Sequence, residues 1–553
     1  MYDNYAVLWN RIARRRPELV ALRSDGQSVS YEEFEARAGA AATALRDQGL
    51  CAGDRVAFFL HNTVEYLVLF YACLKLEAIP VSINYRYRGA EVAALLAVAR
   101  PAALVHAPGT VAVVQDALER VAGTEASPRF VVVAGGGRAD GAPVREPVVL
   151  PPRVARLAYA DLVAAVPASL PDPGRDAEVY IFTGGTTGTP KAVVWGIGDL
   201  LHIQQSSIYA PLGLEYPADV EAAVAVAVSA DRPAVTTLPL APFIHATALF
   251  SVMNTLALGG TVIINPDPSL VPEDVVRLII DERVSRLIVA GDAVAVPIVE
   301  ALETRLQGAR SGLTSVISSG MRFSDETKRR IHRLGQVAIV DILASTEGGP
   351  YAIATTTRAE DLPARFRLAE DAVVLDEARR EVQDVPGATG VLAYRGALPK
   401  GYLDDPRKSE ESYPVINGVR HCSPGDYVRV DEHGFIELLG RGSSVVNTGG
   451  EKVFPGEVEE ALLDHPAVTD AVVFGVPDPR WGERVAAVVA VAPGSGTTAQ
   501  DLLDHVAPRL AGYKKPRTLV LRDTLERRPS GKLDMRAIKT AVADAGPKRA
   551  GTV

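Results

Sequence analysis

The chain predicts an α/β fold in two domains, on three observations. Its 553 residues exceed what one hydrophobic core holds, since cores stop growing at about 250–300 residues. Short apolar runs alternate with helical patterns from Val56 to Ile342, the rhythm of a parallel sheet covered on both faces. That spacing then changes twice, after about residue 365 and again after Arg441. The expected architecture is a large N-terminal domain, residues 1–440, of stacked parallel-type α/β subdomains with a β-rich subdomain at about 365–440. A small α+β domain, residues 441–553, follows it.

The elements follow in order. Arg23-Ser-Asp-Gly-Gln27 reads as a hairpin turn, and Ser30-Tyr-Glu-Glu33 as a capping box opening a helix through about Asp47. A strand at Val56–Leu60, a helix at Val64–Leu76 and strands at Ile79–Ser82, Ala103–His106 and Phe130–Val133 come next. Gly135–Pro152, rich in Gly, Pro and Arg, is a surface loop and lacks the final glycine of a dinucleotide fingerprint. A second series places strands at Val179–Phe182, Val235–Leu240, Thr261–Ile264, Arg286–Val289, Ser315–Ser318 and Val337–Ile342. From Ala372 to Leu439 strands crowd together around turns such as Asp431-Glu-His-Gly434. The last segment predicts a helix at Gly456–Leu463, strands at Ala471–Val476 and Val485–Val491, a helix at Ala499–Leu510 and a strand at Thr518–Leu521.

Composition excludes several classes of function. A formal charge of −9 and a pI near 5.6 argue against nucleic acid or an anionic membrane as partner. The one basic run, Arg14–Arg16, precedes Pro17-Glu18 and reads as a solvated helix end. Cys51, Cys73 and Cys422 have no metal or disulfide spacing, and Cys73 sits in the apolar run Tyr66–Leu76 as core. Met1–Arg16 lacks the apolar stretch of a signal peptide, and no run reaches the roughly 18 apolar residues of a membrane span. The expected setting is the reducing cytoplasm.

The densest chemical signal is Thr183-Gly-Gly-Thr-Thr-Gly-Thr-Pro-Lys191. Its glycines let the backbone turn tightly and aim N–H groups at one anion, while threonine hydroxyls and a lysine add donors and charge. A flexible strand-to-helix turn would also hold glycines, but not this density of hydroxyls ending in a cation. No Gly-Lys-Ser/Thr closes it, so it is not a Walker A loop. Further along stand Ile342-Leu-Ala-Ser-Thr-Glu347, Gly425-Asp-Tyr427, Gly440-Arg441, Val446-Asn-Thr-Gly-Gly-Glu-Lys-Val-Phe-Pro-Gly-Glu-Val-Glu459 and Pro529-Ser-Gly-Lys532. Each alone reads as a cap or a surface turn. Their order is what carries weight.

This ordered set resembles the adenylate-forming enzymes: acyl-CoA synthetases, peptide-synthetase adenylation domains and luciferases. The resemblance covers nearly the whole chain, with Ala192 and Ala344 where glycine is usual, and it makes the small C-terminal domain mobile. It implies ATP, Mg²⁺ and CoA, with a small-molecule acid as substrate and a carrier protein as the alternative acceptor. By that match Thr183, Gly184, Gly185, Thr186, Thr187, Gly188 and Lys191 form the phosphate loop. Glu347, with Thr183, would hold the metal, and Thr346 would touch phosphate. Ser319, Gly320, Met321, Asp341 and Ser345 would line the nucleotide, and Asp426 and Arg441 would take the ribose. Lys532 would stabilise charge as it builds in the transition state, Ser443 would be the hinge, and Gly449 and Gly450 would approach the pantetheine arm.

The resemblance sets Ala344, His245 and Arg322 about the acid pocket. Relatives read Ser-Ser-Gly-Gly-Ala where this chain has Ser318-Ser-Gly-Met-Arg322, so a long cation stands at the adenine and pocket mouth. An arginine there must meet an anion or face solvent. The implied reaction is adenylation of a carboxylate followed by transfer to the CoA thiol, with no covalent enzyme intermediate. Met321-Arg322 and the small residues Ala246-Thr-Ala248 keep two variants open: a carrier-protein thiol as acceptor, or nitrite adenylated and passed to an aryl amine. A silent nucleotide-binding relative is disfavoured, because Lys191, Glu347, Asp426 and Lys532 are all present.

Overall fold

The computed structural model describes residues 4–135, 149–151, 154–183, 191–231, 234–265, 267, 269–441, 445–448, 451–478, 482–510, 512–527 and 533–544. Most of the Gly135–Pro152 loop lies outside these. The chain divides into two compact units, Met1–Ala364 with Arg395–Cys422, and Arg365–Tyr394 with Ser423–Val553.

The first unit holds two sheets built as the β-α-β rhythm predicts. In one, parallel strands run in the order Val20–Ser24, Thr261–Ile263, Thr236–Pro239, Arg286–Val289, Ser315–Ser319 and Ala338–Ser345, with antiparallel strands Gln27–Ser30 and Gly348–Thr356 at the ends of the row. Its helices bury Val275, Ile279, Ile298, Val299 and Ile331 against Leu287, Val289, Val316 and Ile339. In the other, parallel strands run Ala155–Ala158, Phe130–Val133, Ala103–His106, Arg55–Phe59, Ile79–Ser82 and Glu178–Thr183. Antiparallel strands Lys191–Gly196 and Gly401–Tyr402 complete it.

Local chemistry explains the boundaries. Asp25 and Gly26 take left-handed φ of 56° and 73° in the predicted hairpin turn. Ser30 Oγ accepts from Glu33 N at 3.1 Å while Glu33 returns the bond to Ser30 N, so the capping box forms and Tyr31–Asp47 is helical. Thr63 caps Val64–Lys75, in which every residue from Tyr66 to Leu74 is buried, Cys73 included. The strand at Ala338 runs on to Ser345, three residues beyond the expected end, and carries Asp341, Ala344 and Ser345 on it.

The second unit also holds two sheets. One is antiparallel, joining Ala372–Leu375, Thr389–Tyr394, Asp426–Val430, Phe435–Arg441 and Phe366–Leu368. Asp431 accepts from His433 N at 2.8 Å and Phe435 N at 2.9 Å in the predicted turn between Asp426–Val430 and Phe435–Arg441. In the other, Gly482–Val491 pairs with Val468–Asp478, Val446–Thr448 and Thr518–Arg522. Val485, Ala487 and Val489 pack on one face with Val458, Leu462 and Leu502, while Ala486, Val488 and Ala490 pack on the other with Phe474, Leu525 and Val542. Burial of both faces is why that strand reads as an unbroken apolar run. The helix from Ala499 stops at Val506 instead of Leu510, because Pro508 lies just beyond and cannot continue it.

No described helix is long and apolar enough to cross a membrane. One buried ion pair stands out in the first unit: Lys328 Nζ lies 2.8 Å from Asp341 Oδ2, with side chains 3% and 9% exposed. Removing one member of such a pair strands the other charge, at about 3–5 kcal/mol. Lys328→Met is therefore expected to lower the urea midpoint of the first unit's unfolding transition, with Lys328→Met/Asp341→Leu recovering most of the loss. An unchanged midpoint in the single variant contradicts this.

Candidate active site

The phosphate-loop motif sits where two antiparallel strands end. Glu178–Thr183 pairs with Lys191–Gly196 from Glu178↔Gly196 to Thr183↔Lys191, and Thr183 Oγ1 donates to the Lys191 carbonyl at 3.4 Å. Thr183 and Lys191 are thus cross-strand partners. The segment joining them, with Gly184, Gly185, Thr186, Thr187 and Gly188, lies outside the described residues. The strand after the loop, Lys191–Gly196, is additional to the strands expected above. Its signal is Ala192-Val-Val-Trp195, a β-branched and aromatic run directly after Lys191.

Thr346 and Glu347 form the two-residue turn of a second hairpin, since Ser345 pairs with Gly348. This is a β-turn rather than a helix cap. Trp195 Nε1 donates to the Thr346 carbonyl at 2.9 Å, and the Tyr402 hydroxyl donates to Glu347 Oε1 at 3.0 Å. Both donors come from the hairpin-and-strap layer that carries Lys191. Lys191 Nζ pairs with Asp405 Oδ2 and lies 5.8 Å from the Tyr402 ring centroid. Lys191 and the Lys408 N–H, which donates to Asp405, together hold the Asp405 carboxyl below the usual range. Burial and the adjacent Glu347 charge push the Tyr402 phenol up, so it remains a donor at neutral pH.

The strap holding Tyr402 and Asp405 was absent from the sequence expectations. Asp405-Pro406 is a recognisable helix start, and Asp405 does cap Pro406–Ser412. Nothing local reveals a partner 214 residues away. Nearby, Ser345 Oγ lies 3.2 Å from the buried Tyr351 hydroxyl, which meets Cys422 Sγ at 3.1 Å. Burial pushes the Cys422 thiol up to about 12, so it stays protonated and is no nucleophile.

Ser318–Arg322 runs off the strand end against the start of the helix Gly291–Leu306. Gly291 N donates to Ser318 Oγ at 3.1 Å, and Asp292 N donates to the Arg322 carbonyl at 2.9 Å. Gly291 has φ +59°, and a Cβ there would lie 2.2 Å from the Arg322 carbonyl oxygen, so only glycine permits this approach. Ser319 is buried, Met321 half-buried, and Gly320 and Arg322 exposed. Asp341 is turned to Lys328, and burial raises its carboxyl despite that cation. Ala344, Ser345 and Thr346 are half-buried. His245 is exposed at the N-terminus of Ala246–Ala257. Asn62 fixes the segment before it, donating to the Ala241 carbonyl at 3.0 Å and accepting from Phe243 N at 2.7 Å.

In the second unit Asp426 and Arg441 are cross-strand partners, and Gly425 has φ +86°. Thr448 pairs with Glu451 in a hairpin and with Gly482 beyond it. Ser443, Gly449, Gly450 and Lys532 lie outside the described residues.

Comparison with known proteins identifies the family. Residues 9–403 match the AMP-binding enzyme model, and residues 457–532 match the AMP-binding enzyme C-terminal domain. The chain is 35% identical over 539 residues to the 3-oxocholest-4-en-26-oate–CoA ligase of Rhodococcus rhodochrous, covering 95% of this chain and 93% of the relative. A medium/long-chain-fatty-acid–CoA/3-oxocholest-4-en-26-oate–CoA ligase of Mycolicibacterium smegmatis is 34% identical over 536 residues, with the same coverage. The fold is shared with an anthranilate CoA ligase solved with anthranoyl-AMP, at TM-score 0.79 and 20% identity over 98% of both chains. It is also shared with a Mycobacterium tuberculosis fatty acyl CoA synthetase, at TM-score 0.69 and 23% identity over 98% of this chain and 99% of the other. The chain belongs to the AMP-binding enzyme family, in its acyl-CoA ligase branch, and is an AMP-forming acid–thiol ligase.

Proposed function

We propose that the enzyme adenylates a fatty or steroid side-chain carboxylic acid with ATP and transfers the acyl group to CoA. The acid class follows the relatives' substrates. The observation that supports the chemistry best is that Lys191 and Glu347, a cation and a carboxylate from separate hairpins, are both engaged by one short strap at the mouth of the Thr183–Lys191 hairpin.

In the first step a carboxylate oxygen attacks the α-phosphorus and the bond to pyrophosphate breaks. Thr183, Thr186 and Lys191, with the backbone of Gly184, Gly185, Thr187 and Gly188, hold the β- and γ-phosphates in line. Ser319, Gly320, Met321, Asp341, Ser345 and Thr346 border the nucleotide, Asp426 and Arg441 bind the ribose, and Lys532 meets the charge building on the α-phosphoryl group. Among the described residues no cluster of three or more His, Cys, Asp or Glu could cage a metal. A single half-buried carboxylate, Glu347, suits Mg²⁺, which is held through one or two carboxylates and the substrate's own phosphates. Glu347 and Thr183 would hold it, and the ion neutralises triphosphate charge when bound. In the second step the domain of residues 441–553 turns about Ser443 against residues 1–440. Thr448–Glu451 then borders the pantetheine arm through Gly449 and Gly450, and the thiol sulfur attacks the acyl carbon to release AMP. His245, Arg322 and Ala344 shape the acid pocket. Three free cysteines suit a reducing cytoplasm.

Pyrophosphate exchange into ATP with fatty, aromatic and steroid acids and with nitrite, followed by CoA, a carrier protein or an aryl amine, tests the reading. Exchange with fatty or steroid acids, its loss on chelation with EDTA, and one CoA thioester per AMP are expected. AMP release that needs nitrite and an amine, without thioester, would overturn it. The Gly291 contact makes a second prediction. Gly291→Ala displaces the 320–322 backbone and is expected to slow adenylation by about 10²-fold, as an ångström-scale misplacement does. Wild-type exchange in that variant would show that the contact does not shape the nucleotide site.

A further inference from the structure

Lys191 begins the second strand of one hairpin and Glu347 turns another, yet residues 400–405 reach both. Tyr402 donates to Glu347, and Asp405, three residues on, accepts from Lys191. This strap is fixed from several sides. Lys400 N donates to Val194 O at 2.8 Å and Leu403 N to Ala192 O at 2.9 Å, adding the strap to the strand that Lys191 begins. Lys400 Nζ pairs with Glu178 at 2.6 Å, and Arg100 pairs with Asp404. Ser409 Oγ accepts from Tyr402 N at 2.8 Å, and Gly401 must be glycine there, since a Cβ would lie 2.7 Å from that Oγ. Asp405 Oδ1 is held by Lys408 N at 3.0 Å, which leaves Oδ2 to aim the lysine.

We propose that Asp405 and Tyr402 are positioning residues for adenylation: Asp405 orients the Lys191 ammonium, and Tyr402 orients the Glu347 carboxylate. The inference rests on the roles proposed for Lys191 and Glu347. Lysine is a flexible point charge, and its geometry is undefined without a fixed partner. An ammonium carries more donors than Asp405 takes up, so Lys191 can hold Asp405 and a phosphate together. The half-buried Glu347 keeps its second oxygen for a ligand while Tyr402 fixes the first. Neither contact bears on the thiol-transfer step, in which the β- and γ-phosphates have left.

Asp405→Asn keeps a good helix cap and removes the charge, and Tyr402→Phe keeps the ring and removes the hydroxyl. Each is expected to slow pyrophosphate exchange by about tenfold or more. Thioester formation from a supplied acyl-adenylate and CoA should stay within about twofold of wild type by the same reckoning. Calorimetry without metal should show weaker pyrophosphate binding in Asp405→Asn and unchanged AMP binding. Equal loss in both half-reactions would mark a merely structural strap and overturn the proposal, as would unchanged exchange in both variants. Lys191→Ala and Glu347→Gln separate the levels. If these are impaired while the strap variants are not, this inference alone fails; if they too exchange at the wild-type rate, the reading of the site falls with it.

Discussion

Thr183 lies directly across from Lys191, and that register fixes the site of the first unit. A cation at the far end of a glycine-rich loop would otherwise be free to wander. Pairing Glu178–Thr183 with Lys191–Gly196 closes the loop at both ends and returns Lys191 beside the threonine that opens it. The same strand then offers its other edge to Gly401–Tyr402, and its Trp195 reaches the Thr346 carbonyl. Slipping this pairing by one residue would send alternate side chains to the opposite face and separate Lys191 from Asp405.

The electrostatics follow from this layout. An acidic chain of net charge −9 has to bind a polyanion, so attraction must come from local groups rather than from the whole-molecule field. Lys191 is one such group, and its partner Asp405 leaves it 30% exposed, open to a phosphate. Arg322 shows the opposite arrangement: the Asp292 N–H holds its carbonyl while the residue as a whole faces water.

Much of this was legible in the sequence. The strands Ile79–Ser82, Ala103–His106, Phe130–Val133 and Arg286–Val289 have the predicted bounds, since each is a short apolar run between clear breakers. The Ser30 capping box is equally local. What escaped depends on distant partners. The strand after the phosphate loop follows a glycine-rich run that carries no strand signal, and Asp405 and Tyr402 act across 214 and 55 residues. Lys328 reads as a surface residue of a charged helix and is buried only because Asp341 waits beneath it. The motif residues announced themselves by composition. The residues that hold them in place did not, because an ordinary Asp or Tyr carries no local mark of a tertiary partner.

Adenylation is defined by which phosphorus the acid attacks. Dodecanoate labelled with ¹⁸O in its carboxylate, incubated with ATP, magnesium and CoA, settles this by mass spectrometry of the nucleotide products. Attack at the α-phosphorus predicts one labelled oxygen in AMP and none in inorganic phosphate. Label in inorganic phosphate, with ADP as the nucleotide product, would mean an acyl phosphate and contradict adenylation.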